Sequence, residues 1–275
     1  MEIKGKKALI LGAAKGLGKA IALELAAAGA TVLCTYYDWP EDAAQMQEEL
    51  AGFGATHSAM RVDLRESEQV ADLFDRVRER FGSLDILINN IERGGMPVVH
   101  GAYDRPANRV QWDLELATTL KAKWLVFHAA LPLLKKAPEA AVVTLSSIAG
   151  VVGRSGPAAL LFNDGYAAAN RAVSAFTETW AREAAPTVRV NELMLGLVET
   201  RHAENTRGWD LLGAEEKGKL LDHTLLRRTG RLEEVVRAVL FLVRDATFMT
   251  GSVVRMDGGY VLGGDHVPDM PVGVL

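Results

Sequence analysis

The feature that most constrains this chain is an alternation, repeated from end to end, of short apolar runs with longer stretches of helical periodicity. The apolar runs are KKALILG (6–12), TVLCTYY (31–37), HSAMRVDL (57–64), LDILINN (84–90), AAVVTLSS (140–147), VRVNELML (188–195) and GSVVRMDGG (251–259). Between them lie helix-like segments at 16–28, 40–54, 67–82, near 109–135, around residue 166 and at 231–245. Short strands rich in Val, Ile and Leu have no wet face, so they belong in a sheet covered on both sides. Parallel neighbours also need a crossover between each pair, and the helices supply it. The reading is an α/β fold: one doubly wound domain with a parallel sheet flanked by helices on both faces.

Composition narrows the setting. The 275 residues are 49% hydrophobic and 24% charged, enough for one large core without a linker or internal repeat. The core runs from about 6 to 259, with a Gly- and Pro-rich tail at 260–275. A formal net charge of −4 argues against nucleic acid or an anionic membrane as partner. The single cysteine, Cys34, lies in an apolar run and reads as a small buried hydrophobe. One thiol makes no internal disulfide, and the apolar run at the start is short for a signal peptide. A cytoplasmic protein is expected.

LGAAKGLG (11–18) closes the first strand and opens the first helix. Gly12 suits a tight turn, Gly16 lets backbone approach a pyrophosphate, and Gly18 allows helix and sheet to pack closely. Strand, glycine loop and helix in that order are the context a dinucleotide site requires, so the doubly wound fold is of the Rossmann type. Lys15 and Leu17 complete the loop. The end of the second strand bears on which cofactor binds. It holds Thr35, Tyr36 and Tyr37, with Asp38 too late to meet a ribose as a carboxylate would. Lys15 either meets a 2′-phosphate or is a solvated loop charge. The preferred cofactor is NADP(H), with NAD(H) as the alternative.

The order of motifs resembles the short-chain dehydrogenase/reductase family over nearly the whole chain. The likeness rests on LGAAKGLG, VDL (62–64), NN (89–90), LSSIAG (145–150), YAAAN (166–170), LGLVET (195–200) and TGSVVRMDGG (250–259). The resemblance implies that Asp63 and Leu64 contact the adenine, that Asn90 stands beside the cofactor and braces the sheet, and that Thr200 holds the nicotinamide amide or a phosphate. It implies Ser147 as the hydrogen-bond partner of the substrate oxygen and Tyr166 as the residue exchanging a proton with it. It also implies a homo-oligomer, tetramer or dimer, paired through the helix near 109–135 and the helix carrying Tyr166.

Four departures bear on the chemistry. Asn170 stands where the family has a lysine. Thr119 aligns with its helix asparagine, NNAG becomes NNIE with Ile91 and Glu92 near the ribose, and PAALLFND (157–164) separates Ser147 from Tyr166 by more than the usual interval. A tyrosine hydroxyl titrates near about 10, and a neighbouring ammonium is what brings its phenolate within reach of neutral pH. Asn170 carries no charge and offers only an amide to a ribose. A protonated tyrosine still serves carbonyl reduction, so the change favours reduction over oxidation. Of the cations that could replace the lysine, Lys123 lies one turn after Thr119 and shares its face, with a charged helix surface as its plainer reading; Arg171 should point away from the Tyr166 face.

Weaker signals remain. The insertion is either an apolar wall over a substrate or a surface loop with Leu160 and Phe162 buried, and Asn163 or Asp164 caps the following helix. Residues 201–230 lie where the family keeps a substrate lid, with Arg201, His202, Arg207 and Trp209 as possible ligand contacts. His100 and His128 show no metal-ligand spacing. Three functions compete: a reductase of a small hydrophobic carbonyl substrate, an enzyme of this fold with non-redox chemistry, or a cofactor-binding partner or sensor without turnover.

Overall fold

A computed structural model describes residues 1–92, 106–200, 207–210, 212–265, 267–270 and 273, without the side chains of 106–109 and 207–208. The apolar runs form β1 (Lys7–Ile10), β2 (Thr31–Tyr36), β3 (Ser58–Arg61), β4 (Ile86–Asn89), β5 (Ala140–Ser147), β6 (Val188–Leu195) and β7 (Val253–Met256). They make one seven-stranded sheet in the order β3-β2-β1-β4-β5-β6-β7. Every neighbouring pair is parallel. Adjacent residues of each strand point to opposite faces; β4, β5 and β6 are buried on both, which is why they read as nearly unbroken apolar runs, while the edge strands β3 and β7 are partly exposed.

One face is covered by α1 (Gly16–Ala27), α2 (Pro40–Ala51) and α10 (Leu232–Arg244). There Ile21, Leu25, Met46, Leu50, Val239 and Leu242 pack on Ala8, Ile10, Val32, Ile88 and Val143. The other face carries α3 (Ser67–Phe81), α5 (Ala122–Leu134) and α7 (Asp164–Ala184), between which come α4 (Pro106–Glu115) and the single-turn α6 (Ala149–Val152). Leu73, Phe74, Val126, Phe127 and Trp180 cover Leu9, Leu33, Leu87 and Val142 on that side. The Phe127 and Trp180 rings stack there with centroids 4.4 Å apart. Short α8 (Arg207–Asp210) and α9 (Ala214–His223) follow β6. Among the described residues no helix is long and apolar enough to cross a membrane.

Two features of this frame position the site. The strand order reverses between β1 and β4, so the loops leaving those strands diverge and open a crevice at the carboxyl edge. The long helix expected near 109–135 also has a π-helical segment, Leu116–Lys121, between α4 and α5. Thr118 Oγ1 donates to Leu114 O at 2.6 Å, and Thr119 Oγ1 to Glu115 Oε2 at 3.1 Å. The Thr118 hydroxyl, bonding back to a backbone carbonyl of the preceding turn, competes with the helix ladder and loosens it, which accommodates the wider winding.

Candidate active site

The glycine loop sits at the mouth of the crevice. Gly12 has φ +66°, and a Cβ there would stand 2.6 Å from Asn90 O. Asn90 Nδ2 donates to Gly12 O at 3.0 Å, tying the ends of β1 and β4 together. Gly18 is tighter still, since an added Cβ would meet Gly12 O at 2.2 Å. Gly16, at φ +57°, opens on free space. No side chain caps the first turn of α1, and that turn contains no acidic residue. Its N–H groups and the positive end of the helix therefore face the crevice, and the loop fits a pyrophosphate. Leu17 packs partly on the core beneath.

At the far end of the crevice, beyond β2 and β3, lies a cluster of cations and rings. The Lys15 ammonium sits 2.9 Å from the centroid of the Trp39 ring and 3.9 Å from Asp42 Oδ2. Tyr36, half-buried, ends β2. Arg61 and Arg65 place their guanidinium carbons 5.3 and 5.2 Å from the Tyr37 ring. Arg65 also grips Asp63, Nε to Oδ1 at 2.8 Å and Nη2 to Oδ2 at 2.5 Å. That hydrogen-bonded guanidinium holds the Asp63 carboxyl below the usual range. Leu64 is buried beside it. Arg61, Arg65 and Trp39 were not singled out in the sequence. The parallel register of β2 with β3 brings the two arginines to Tyr37, a pairing that spacing along the chain does not express.

The reacting end is assembled from β5, the π segment and α7. Ser147 is the last residue of β5, and its Oγ accepts from Ala149 N at 3.1 Å. Tyr166 stands in the first turn of α7, which Asn163 caps by accepting from Tyr166 N at 2.7 Å. A Cβ on Gly150 would lie 2.7 Å from Arg171 N and 2.8 Å from Asn170 C, so a glycine here brings the segment after Ser147 directly onto the Tyr166 helix. Asn170 is 1% exposed, and its Nδ2 donates to the backbone oxygen of Tyr166 at 2.9 Å. The amide is thus engaged by its own helix. Thr119, fully buried, faces this region from the π segment, which packs against α7. Thr200 follows β6, its N–H bonded to Val198 O at 2.6 Å.

Three readings of the sequence are corrected or completed here. Lys123 is no surface charge: it is 1% exposed, and its Nζ donates to Leu145 O at 2.6 Å. Helical periodicity names the face a residue shares but not what covers it, and α7 and the sheet cover this one. Ile91 is buried in the apolar cluster under α3 and α5. In the insertion, Leu161 and Phe162 are buried while Leu160 is 40% exposed. Phe162 lies with its ring 5.9 Å from that of Tyr166. Around them Ile148, Met194, Leu197, Trp209, Leu220 and Tyr260 form a third apolar cluster on the Tyr166 side of the molecule. Tyr260 locks it by accepting from Ala158 N at 2.6 Å. Arg171 is exposed. His128 meets Glu183 at 4.0 Å, and the described residues contain no cluster suited to a metal. His100, Arg201, His202 and the Arg207 side chain lie outside the described residues.

A family model described as Enoyl-(Acyl carrier protein) reductase matches residues 12–261. The 3-oxoacyl-(acyl-carrier-protein) reductase FabG of Thermotoga maritima is 30% identical over 266 residues, covering 95% of this chain and all of that one. The chain belongs to the short-chain dehydrogenase/reductase family. Ketoacyl reductase 2 of the granaticin polyketide synthase of Streptomyces violaceoruber is 34% identical across 92% of this chain and 94% of its own. A solved structure described as a short-chain alcohol dehydrogenase of Sinorhizobium meliloti superposes with a TM-score of 0.79 at 29% identity, covering 94% of this chain and 98% of that one. As a short-chain dehydrogenase/reductase the chain is of an oxidoreductase family.

Proposed function

We propose that this protein is an NADPH-dependent reductase of a hydrophobic carbonyl compound, of the 3-oxoacyl or ketone type. The observation that carries the reading is the third apolar cluster, whose Phe162 lies against Tyr166 on the same side as Ser147. Such a wall favours an apolar carbonyl compound over a charged one. The names of the Thermotoga and Streptomyces relatives support the same substrate class. The Lys15, Arg61 and Arg65 cluster beyond β2 favours the extra phosphate of NADPH.

In this reading the glycine loop and α1 hold the pyrophosphate, Asp63 and Leu64 flank the adenine, and Asn90 and Thr200 border the nicotinamide end. When bound, the nicotinamide supplies a hydride to the carbonyl carbon. Ser147 Oγ already accepts from Ala149 N, which leaves its hydroxyl proton to donate to the substrate oxygen. Tyr166 Oη then gives its proton to that oxygen as negative charge develops there. Asn170 keeps its Oδ1 as an acceptor, since its Nδ2 is bonded to the Tyr166 carbonyl. That engagement favours one second reading, a cofactor-binding protein without turnover.

Nicotinamide absorbance decides between them, with NADPH and a panel of 3-oxoacyl thioesters and ketones of graded chain length. The expected result is consumption that increases with apolar chain length and falls about a hundredfold or more in Tyr166→Phe. Tight NADPH binding with no turnover across the panel would establish the second reading instead.

A further inference from the structure

A costly arrangement of buried charge lies behind the candidate site and takes no part in the chemistry above. Lys123 is 1% exposed and Glu192 fully buried, so an ammonium and a carboxyl are withdrawn from water between α5, α7 and the sheet. Buried ionisable groups beside a cleft are candidates for a tuning role. Lys123 Nζ reaches Leu145 O, two residues before Ser147 on β5. Its own backbone oxygen accepts from Asn89 Nδ2 at 3.4 Å. Glu115, Thr119 and Lys123 recur every four residues, and all three are buried. From α7, Ser174 and Thr177 donate to Glu192 at 3.1 and 3.5 Å, and Ser146 donates to it from β5. Asn89 Oδ1 and Thr144 Oγ1, both buried, are two further oxygens of this layer, without a hydrogen-bond partner among the described residues. Burial pushes the Glu192 carboxyl up, while hydrogen bonds from Ser146 and Ser174 and the nearby Lys123 charge pull it back.

A phenol needs a cation nearby to ionise close to neutral pH, and position 170 supplies none. We propose that Lys123 is that cation for Tyr166: a positioning residue that acts through space from behind Ser147, with Glu192 as the counter-charge that moderates it. The inference rests on the reading that Tyr166 exchanges a proton with the oxygen that Ser147 also holds. Two residues of strand span roughly 7 Å, which is the separation along β5 between the carbonyl that Lys123 holds and Ser147. In surroundings of effective dielectric near 20, a unit charge at about 8 Å shifts a titration by roughly one to two pKa units. Other charged groups near Tyr166 among the described residues are Glu115 from α4, whose Cβ would lie 3.4 Å from a Cβ on Gly165, the exposed Arg154–Asp164 pair at 3.4 Å, and exposed Arg171. Of these cations Lys123 alone is buried.

Nuclear magnetic resonance of ring-labelled tyrosine reads the titration directly, with Tyr166 assigned among the five tyrosines by loss of its signal in Tyr166→Phe. Lys123→Met should raise the Tyr166 pKa by about one unit, Glu192→Gln should lower it, and Lys123→Arg should leave it near wild type. Shifts of opposite sign are what a charge produces and a packing defect does not. Should Lys123→Met fail to fold, Glu192→Gln carries the test alone. A Tyr166 titration unmoved in the folded variants, or moved in the same direction by both, overturns the proposal. Shifts of opposite sign in a protein that turns over no carbonyl substrate would sustain this inference and fail the reductase reading.

Discussion

Replacing Gly18 with alanine tests the cofactor loop with a cost that can be worked from the coordinates. The new Cβ would stand 2.2 Å from Gly12 O, 2.8 Å from Asn90 Nδ2 and 2.9 Å from Ala13 Cα. A carbon sits comfortably about 3.3 Å or more from an oxygen, so α1 must withdraw by about 1 Å. Two of the three obstructing atoms are backbone, so no side-chain rotation relieves them. Overpacking of this kind costs about 1–3 kcal/mol, and loss of the Asn90–Gly12 hydrogen bond adds about 1 kcal/mol. Better helix propensity returns about 1 kcal/mol, leaving a net loss of about 1–3 kcal/mol. For a chain of this size that lowers the melting temperature by roughly 2–5 °C. NADPH should suffer more than stability alone implies, because the N–H groups that meet its phosphates move with α1; at least about tenfold weaker binding is expected. Gly16→Ala separates stability from binding: no protein atom lies within 4 Å of its Cβ, so only the positive φ is strained, at about 1 kcal/mol, while a methyl where backbone should approach the pyrophosphate weakens NADPH binding. Thermal melting and titration of NADPH fluorescence measure both. Gly18→Ala that melts with wild type and binds NADPH within about twofold would refute the loop as the pyrophosphate site.

Other expectations follow from the same structure. Asn170→Lys should move the alkaline limb of alcohol oxidation toward neutral pH and raise oxidation more than reduction, once folding and NADPH affinity are checked; unchanged limbs would show that charge at 170 is not limiting. NADPH should bind more tightly than NADH by calorimetry, and Lys15→Ala should narrow the gap; equal affinities would dismiss the Lys15 and arginine cluster as a phosphate site. Arg228 donates two hydrogen bonds to Glu234 and holds its carboxyl down to about 2 from an ordinary 4.5. A depressed folded value gives stability that is complete above 4.5 and lost as pH falls toward about 2. Both partners are partly exposed, so Glu234→Gln should remove about 1 kcal/mol, visible as a flatter acid limb of melting temperature against pH. Light scattering at micromolar concentration should show a tetramer or dimer, and a monomer would contradict the expected pairing.

Local chemistry made much of this molecule legible in its sequence. Strands such as VRVNELML and AAVVTLSS announce themselves because burial on both faces demands unbroken apolar runs. Glycines in LGAAKGLG mark backbone that must turn and pack closely, and the structure finds a φ of +66° and a 2.2 Å obstruction there. Asn163 could be read as a cap because capping spans three residues and needs no knowledge of the fold. What only the tertiary structure decided is which side chains from distant segments share one dry space. Lys123, Leu145 and Glu192 come together from α5, β5 and β6, and no periodicity within any one of them says that a lysine head will be closed off from water. The wall beside Tyr166 is gathered in the same way from Phe162, Trp209, Leu220 and Tyr260. A sequence pattern reports the face a residue shares with its neighbours four positions away; what covers that face, and so the charge and solvation a group feels, depends on how whole elements stack.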